Sequence, residues 1–119
     1  MKYMLLIQHG EMPKPGSPEW AVLSEEEQQA IGAGYQAVNE TAGVTPGAWL
    51  ELSETATTVR VENGETLTTD GPFVAVKEAL GGYLFFEAEN LDTAIDLAAR
   101  IPAAQYGGAV EIRPVKEGY

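Results

Sequence analysis

The residues able to do chemistry in this chain are few, and their types limit what the chemistry is. Histidine occurs once, at position 9, and cysteine is absent. A zinc site would therefore need mostly carboxylates, an unusual donor set. Thiolate catalysis is excluded outright. No Gly-rich phosphate loop and no Ser/His/Asp elbow is present. What remains is proton transfer without metal or cofactor, and no cofactor is expected. Asp70 is the leading acid or base, because Asp70-Gly71-Pro72-Phe73 holds its carboxylate beside a constrained backbone. An apolar wall and a neighbouring charge would tune its pKa for general acid–base work. The structural alternative is an aspartate that accepts backbone N–H bonds and stabilises a turn. His9 stands at the end of the first strand, where pockets form, and could relay a proton. A lone histidine there is also at home as a hydrogen-bonded bystander. Lys77 and Arg113 are the candidate anion clamps. Each has a plain reading as well, Lys77 as a surface lysine with a buried stem and Arg113 on a solvated face or a dimer rim.

The elements that must position these groups are legible from the hydrophobic pattern. Residues 2–8 read as a strand apolar on both parities, with Tyr3, Leu5 and Ile7 opposite Met4 and Leu6, which marks a central strand covered twice. Residues 10–23 carry three prolines and two glycines and read as a loop. Ser24 followed by Glu25, Glu26 and Glu27 fits a capping box. The helix it opens has an apolar stripe of Ile31, Tyr35, Val38 and Ala42, with Gly43 as its stop. Gly32 and Gly34 lie inside that helix, where close packing on a sheet would explain them. A second strand is expected over Gly47–Leu52. Thr57–Glu62 and Glu65–Thr69 form a hairpin around Asn63-Gly64. A short helix is expected over Val74–Leu80 and an aromatic strand over Gly82–Glu89. A helix capped by Asn90 follows, with a stripe of Leu91, Ile95 and Ala98 widened by Ala94 and Ile101, and ended by Pro102. Gly108–Val115 is the last strand.

This order is β-α-β, a hairpin, then β-α-β in a single domain over residues 1–119. It predicts an α+β, ferredoxin-like split β-α-β fold with both long helices on one sheet face. The other face then needs cover. A second copy of the chain is the simplest, so a homodimer is expected, with Phe85, Phe86, Trp49 and Trp20 as its aromatics. The formal net charge of −11 argues against direct binding of nucleic acid and against anionic membranes. No apolar run approaches a membrane span, and a cysteine-free chain fits a reducing cytoplasm.

Several segments resemble one known family. Asp70-Gly71-Pro72-Phe73 is similar to the signature of the DGPF-domain proteins within the YCII-related family. Met1–Ile7 resembles that family's opening strand. Ala56–Arg60 resembles the segment before the signature, and Lys77-Glu78 with Leu80–Tyr83 the segment after it. Ala98–Pro102 and Gly108–Pro114 resemble its closing helix and strand. The resemblance implies a ferredoxin-like subunit that pairs into a dimeric α+β barrel, with no assigned reaction. It also implies an association of some relatives with a His/Asp pair, and of others with sigma-factor signalling. Two functions follow as expectations. One is a cofactor-free lyase or isomerase acting by proton transfer at Asp70, with His9 as its partner and Lys77 or Arg113 holding an anion. The other is a non-enzymatic dimeric module that binds a small-molecule ligand or regulates.

Overall fold

A computed structural model of the protein describes residues 1–73 and 80–118. A four-stranded antiparallel sheet is built from β1 (Lys2–Gln8), β2 (Val44–Trp49), β5 (Leu80–Glu87) and β6 (Ala109–Pro114), in the order β2-β5-β1-β6. Between β2 and β5 the chain forms a separate two-stranded hairpin, β3 (Thr57–Glu62) and β4 (Glu65–Asp70). The helices are α1 (Pro18–Ala21), α2 (Glu25–Asn39), α3 (Leu91–Ala99) and α4 (Pro102–Gln105). The β-α-β, hairpin, β-α-β succession expected from the pattern is thus the observed one.

Residue-level signals explain the main elements. Ser24 Oγ accepts from Glu27 N–H at 3.0 Å while the Glu27 carboxylate accepts from Ser24 N–H at 3.3 Å, a complete capping box. Asn90 caps α3 by accepting from Thr93 N–H at 3.0 Å. Asn63 and Gly64 both have positive φ, 51° and 79°, as a two-residue hairpin turn of the primed type requires.

The core lies between the sheet and the helices. Tyr3, Leu5 and Ile7 of β1 meet Leu84 and Phe86 of β5 beneath Val38, Ala94, Leu97, Ala98 and Ile101. Leu5, Leu97 and Ile101 are fully buried, each contributing about 1.5–3 kcal/mol by leaving water. The opposite face carries Met4 and Leu6, paired in register with Phe85 and Tyr83. These four are only partly buried. Lys2 Nζ lies 4.8 Å above the Phe85 ring and Tyr83 meets Phe85 edge-on at 6.1 Å, which shields the patch in part. No helix among the described residues is long and apolar enough to cross a membrane.

Four expectations are corrected. The second strand is Val44–Trp49 rather than Gly47–Leu52, because pairing with Phe86 begins at Val44 and the register shifts before Trp49. Pro102 does not simply end a helix. It also starts α4, where its fixed φ suits the first turn and its missing N–H is no loss. The buried stripe of α3 is Ala94, Leu97 and Ala98, continued by Ile101, while Leu91 and Ile95 are 50% and 47% exposed. The small alanines let the helix approach the sheet closely, and that rotates the larger residues outward. Phe86, expected at a subunit interface, is 5% exposed beneath the helices, because it shares its face with Leu84 and Tyr3. The short helix expected over Val74–Leu80 falls on residues outside those described, except Leu80, which belongs to β5.

Candidate functional site

The side chain of His9 follows directly from β1, and it stands in a cavity of about 660 Å³. The cavity is framed by the loop after β1, one face of α2, the end of β2 and the start of β5. From α2 come Gln28, Ile31, Gly32 and Tyr35, the i, i+3, i+4, i+7 set of one helical face. The loop supplies Met12, Lys14 and Trp20. Gln28 fixes that loop by donating from Nε2 to Trp20 O at 2.9 Å, and Ser17 caps α1 by accepting from Trp20 N–H at 3.2 Å.

Two glycines make room for two rings. A Cβ at Gly81 would lie 2.3 Å from both Cε1 and Nδ1 of His9, and one at Gly82 would lie 3.0 Å from Trp49 Cε3. The consecutive glycines of β5 therefore seat the imidazole and the indole side by side. The two rings stack with centroids 5.9 Å apart and planes 22° from parallel. Tyr35 meets Trp49 edge-on at 4.6 Å, and its hydroxyl donates to Met12 Sδ at 3.5 Å.

Burial sets the protonation of both polar rings. It lowers the His9 pKa below its ordinary 6.5, and the Lys14 ammonium lowers it further, so at neutral pH the imidazole is uncharged and can accept a proton. Burial pushes the Tyr35 phenol up to about 12, against the opposing pull of a hydrogen bond with the Ala103 backbone. Tyr35 is thus a hydrogen-bond donor across the physiological range.

Of the candidate site residues Asp70, His9 and Arg113, which fall among the described residues, only His9 lines this cavity. Asp70 is exposed at the last position of β4, opposite Thr57. Its turn is held by other groups: Gly71 N–H donates to Ala56 O at 2.7 Å, and Thr58 Oγ1 to Gly71 O at 2.7 Å. Arg113 is exposed and paired with Glu111 on the open sheet face. Lys77 lies outside the described residues. Among the described residues no group of three or more His, Asp or Glu side chains is placed to hold a metal ion. Sequence reasoning missed Lys14, Tyr35 and Trp49 as cavity residues. The available signal was the Gly81-Gly82 pair inside a strand, which marks a site of close approach.

A domain with this sheet, this inserted hairpin and a cavity at the end of β1 defines a small α+β protein with an open cavity beside its only histidine. The YCII-related domain matches residues 1–118, and the chain belongs to that family. It is 34% identical over 97 residues to an uncharacterised protein of Rhizobium meliloti (strain 1021), covering 77% of this chain and 78% of the relative. It is also similar to the 5-chloro-2-hydroxyhydroquinone dehydrochlorinase of Burkholderia phenoliruptrix AC1100, solved with 2,5-dihydroxybenzoquinone. The identity is 18%, the TM-score 0.47, and the coverage 99% of this chain and 96% of that one.

Proposed function

We propose that the protein is a small-molecule lyase or isomerase that works by proton transfer without a cofactor, and that His9 moves the proton. The observation that carries this reading is a half-buried imidazole, held uncharged, in an open cavity large enough for a metabolite. The neutral ring takes a proton from the substrate and becomes imidazolium. The electron pair left behind forms a double bond, either expelling a group from the adjacent carbon or moving so that the proton returns elsewhere. Lys14 opposes the imidazolium, so proton transfer is favoured when a bound anion offsets the ammonium. Lys14 thereby takes the anion-holding role expected of Lys77 or Arg113.

The non-catalytic reading, a ligand-binding or regulatory module, is favoured by one observation: Asp70 and His9, the expected acid–base pair, do not meet within one chain. Both readings use the cavity. We further propose a ferredoxin-like subunit that pairs into a dimeric barrel through Met4, Leu6, Tyr83 and Phe85, working in the cytoplasm.

The test is proton exchange. A metabolite extract is incubated with the protein in D2O and followed by mass spectrometry. The catalytic reading expects time-dependent conversion of a discrete compound, with deuterium uptake where a proton is returned, abolished by His9→Gln. Change equal in the variant, or none in any compound, refutes it.

A further inference from the structure

The walls of the cavity also restrict what it holds, an inference that rests on the cavity being the functional site. Among the described residues three aromatic side chains besides His9 line it: Trp20, Tyr35 and Trp49. The His9 and Trp49 rings lie nearly parallel, and Tyr35 is edge-on to Trp49. A flat ring laid beside such a set gains contact on its face and at its edge together. A puckered ring of the same volume gains less.

Charge narrows the class. The protein carries 7 lysines and arginines against 18 acidic residues, yet Lys14 lines this cavity. Among the described residues Lys14 forms no ion pair within 4.0 Å. Its effect is felt inside, because its ammonium bears on His9. Glu51 also lines the cavity, but it is exposed, as are its neighbours Leu50 and Leu52, whereas Lys14 is partly buried. An aromatic enclosure can also hold an organic cation. Lys14 would repel one.

Space fixes the third constraint. Gly32 lines the cavity in mid-helix, and a Cβ built there meets nothing within 4 Å. The glycine is not needed for packing, and its hydrogen leaves open space at the cavity wall that any side chain would reduce.

We propose that the cavity binds a flat aromatic acid, a carboxylate or phenolate, with its ring beside Trp49, its anionic group at Lys14 and its edge in the open space at Gly32. The probes are benzoate and 2-naphthoate, compared with cyclohexanecarboxylate and benzyltrimethylammonium. Each is titrated into the protein while the one histidine Cε1 proton is followed by NMR. The aromatic acids are expected to saturate that shift, with 2-naphthoate tightest and cyclohexanecarboxylate roughly tenfold weaker, the scale of an aromatic pairing lost. Lys14→Met is expected to weaken 2-naphthoate by roughly tenfold or more, as loss of a charge-assisted bond does. Gly32→Leu is expected to abolish binding while the protein still melts cooperatively. Equal affinity for cyclohexanecarboxylate, preference for benzyltrimethylammonium, indifference to Lys14→Met, or no saturation by either aromatic acid overturns the proposal. The two readings fail separately. Saturable binding of the aromatic acids, with no compound of the extract changed by the protein, leaves the ligand class standing and sinks the catalysis. His9-dependent conversion of a non-aromatic compound, with no aromatic acid bound, does the reverse.

Discussion

Gly81→Ala and Gly32→Ala make the same chemical change and should have opposite consequences. At Gly81 the new methyl would sit 2.3 Å from two ring atoms of His9, more than about 1 Å inside ordinary van der Waals contact. Backbone φ at Gly81 is not positive, so the strand accepts alanine and the ring must yield. Overpacking of this kind costs about 1–3 kcal/mol, less the roughly 0.4–1 kcal/mol gained by removing a glycine from the unfolded chain. The net is a loss of about 1–2 kcal/mol, or several degrees in Tm for a domain of this size. At Gly32 the methyl meets nothing within 4 Å, and alanine in mid-helix should stabilise by about 1 kcal/mol.

The assay has two channels. Thermal melts give the sign of each stability change. Because the chain has one histidine, its Cε1 proton is a single assignable NMR signal whose pH titration reports the His9 environment alone. Wild type should titrate below 6.5, since burial and Lys14 both lower the pKa. Gly81→Ala should move it back towards 6.5, because the expelled ring regains water. Gly32→Ala should leave it near the wild-type value and raise Tm. If Gly81→Ala leaves both Tm and the histidine titration unchanged, the seating of His9 on β5 is wrong. If Gly32→Ala lowers Tm, the open space at Gly32 is wrong.

The pH dependence of stability should carry the His9 signature. The unfolded chain takes up this proton near 6.5 and the folded one only at lower pH, so stability is intact above 6.5 and falls as pH drops. His9→Gln should remove that component from melts run between pH 7 and pH 5. Tyr35 has the opposite sense: its folded pKa of about 12 lies above the ordinary 10.0, so the stability of the neutral phenol is complete below 10 and lost as pH rises through 12. An absorbance titration should show one of the five tyrosines ionising near 12, a step that Tyr35→Phe deletes. Phe85→Asp puts a charge in the open sheet face and should leave a folded monomer where wild type sediments as a dimer; monomeric wild type at micromolar concentration sinks the pairing proposal. Asp70→Ala removes an exposed carboxylate and should change stability by less than about 0.5 kcal/mol, so a Tm drop of several degrees would return Asp70 to a structural role.

The fold was legible where local chemistry decides it. Ser24 with Glu27, Asn90, and Asn63-Gly64 each satisfy or permit a specific backbone geometry, and each terminates or turns the chain as read. Two of the misreadings share one cause. Leu91 and Ile95 make as good a stripe as Ala94, Leu97 and Ala98, and periodicity cannot choose between overlapping stripes. The sheet chooses, by accepting the closer approach. Phe85 and Phe86 were assigned together for the same reason. Adjacent residues in a strand face opposite ways, and only the register with β1 shows which face lies under the helices.

The site was less legible because it is assembled from spacing that no short motif records. Tyr35, Trp49 and Gly81 are far apart in sequence and converge only when β2 and β5 pair beside α2. The tetrapeptide that carries the family resemblance occupies a different place. Asp70 ends a hairpin that leaves the sheet after Trp49–Ser53 and returns at Leu80-Gly81, and both of those segments line the cavity. Almost every residue of the hairpin strands is exposed, and a two-stranded hairpin alone in water is only marginally stable. One of its faces bears Val59 and Val61 beside Thr66 and Thr68, an uncharged surface apart from Asp70 itself. This arm has no core of its own, whereas the His9 cavity is walled by the loop after β1, α2, β2 and β5. A sequence signature and a chemical site need not coincide. Among the described residues the two are joined through Trp49–Ser53 on one side and Leu80-Gly81 on the other, so a substitution in the arm can reach the cavity through the residues that root it.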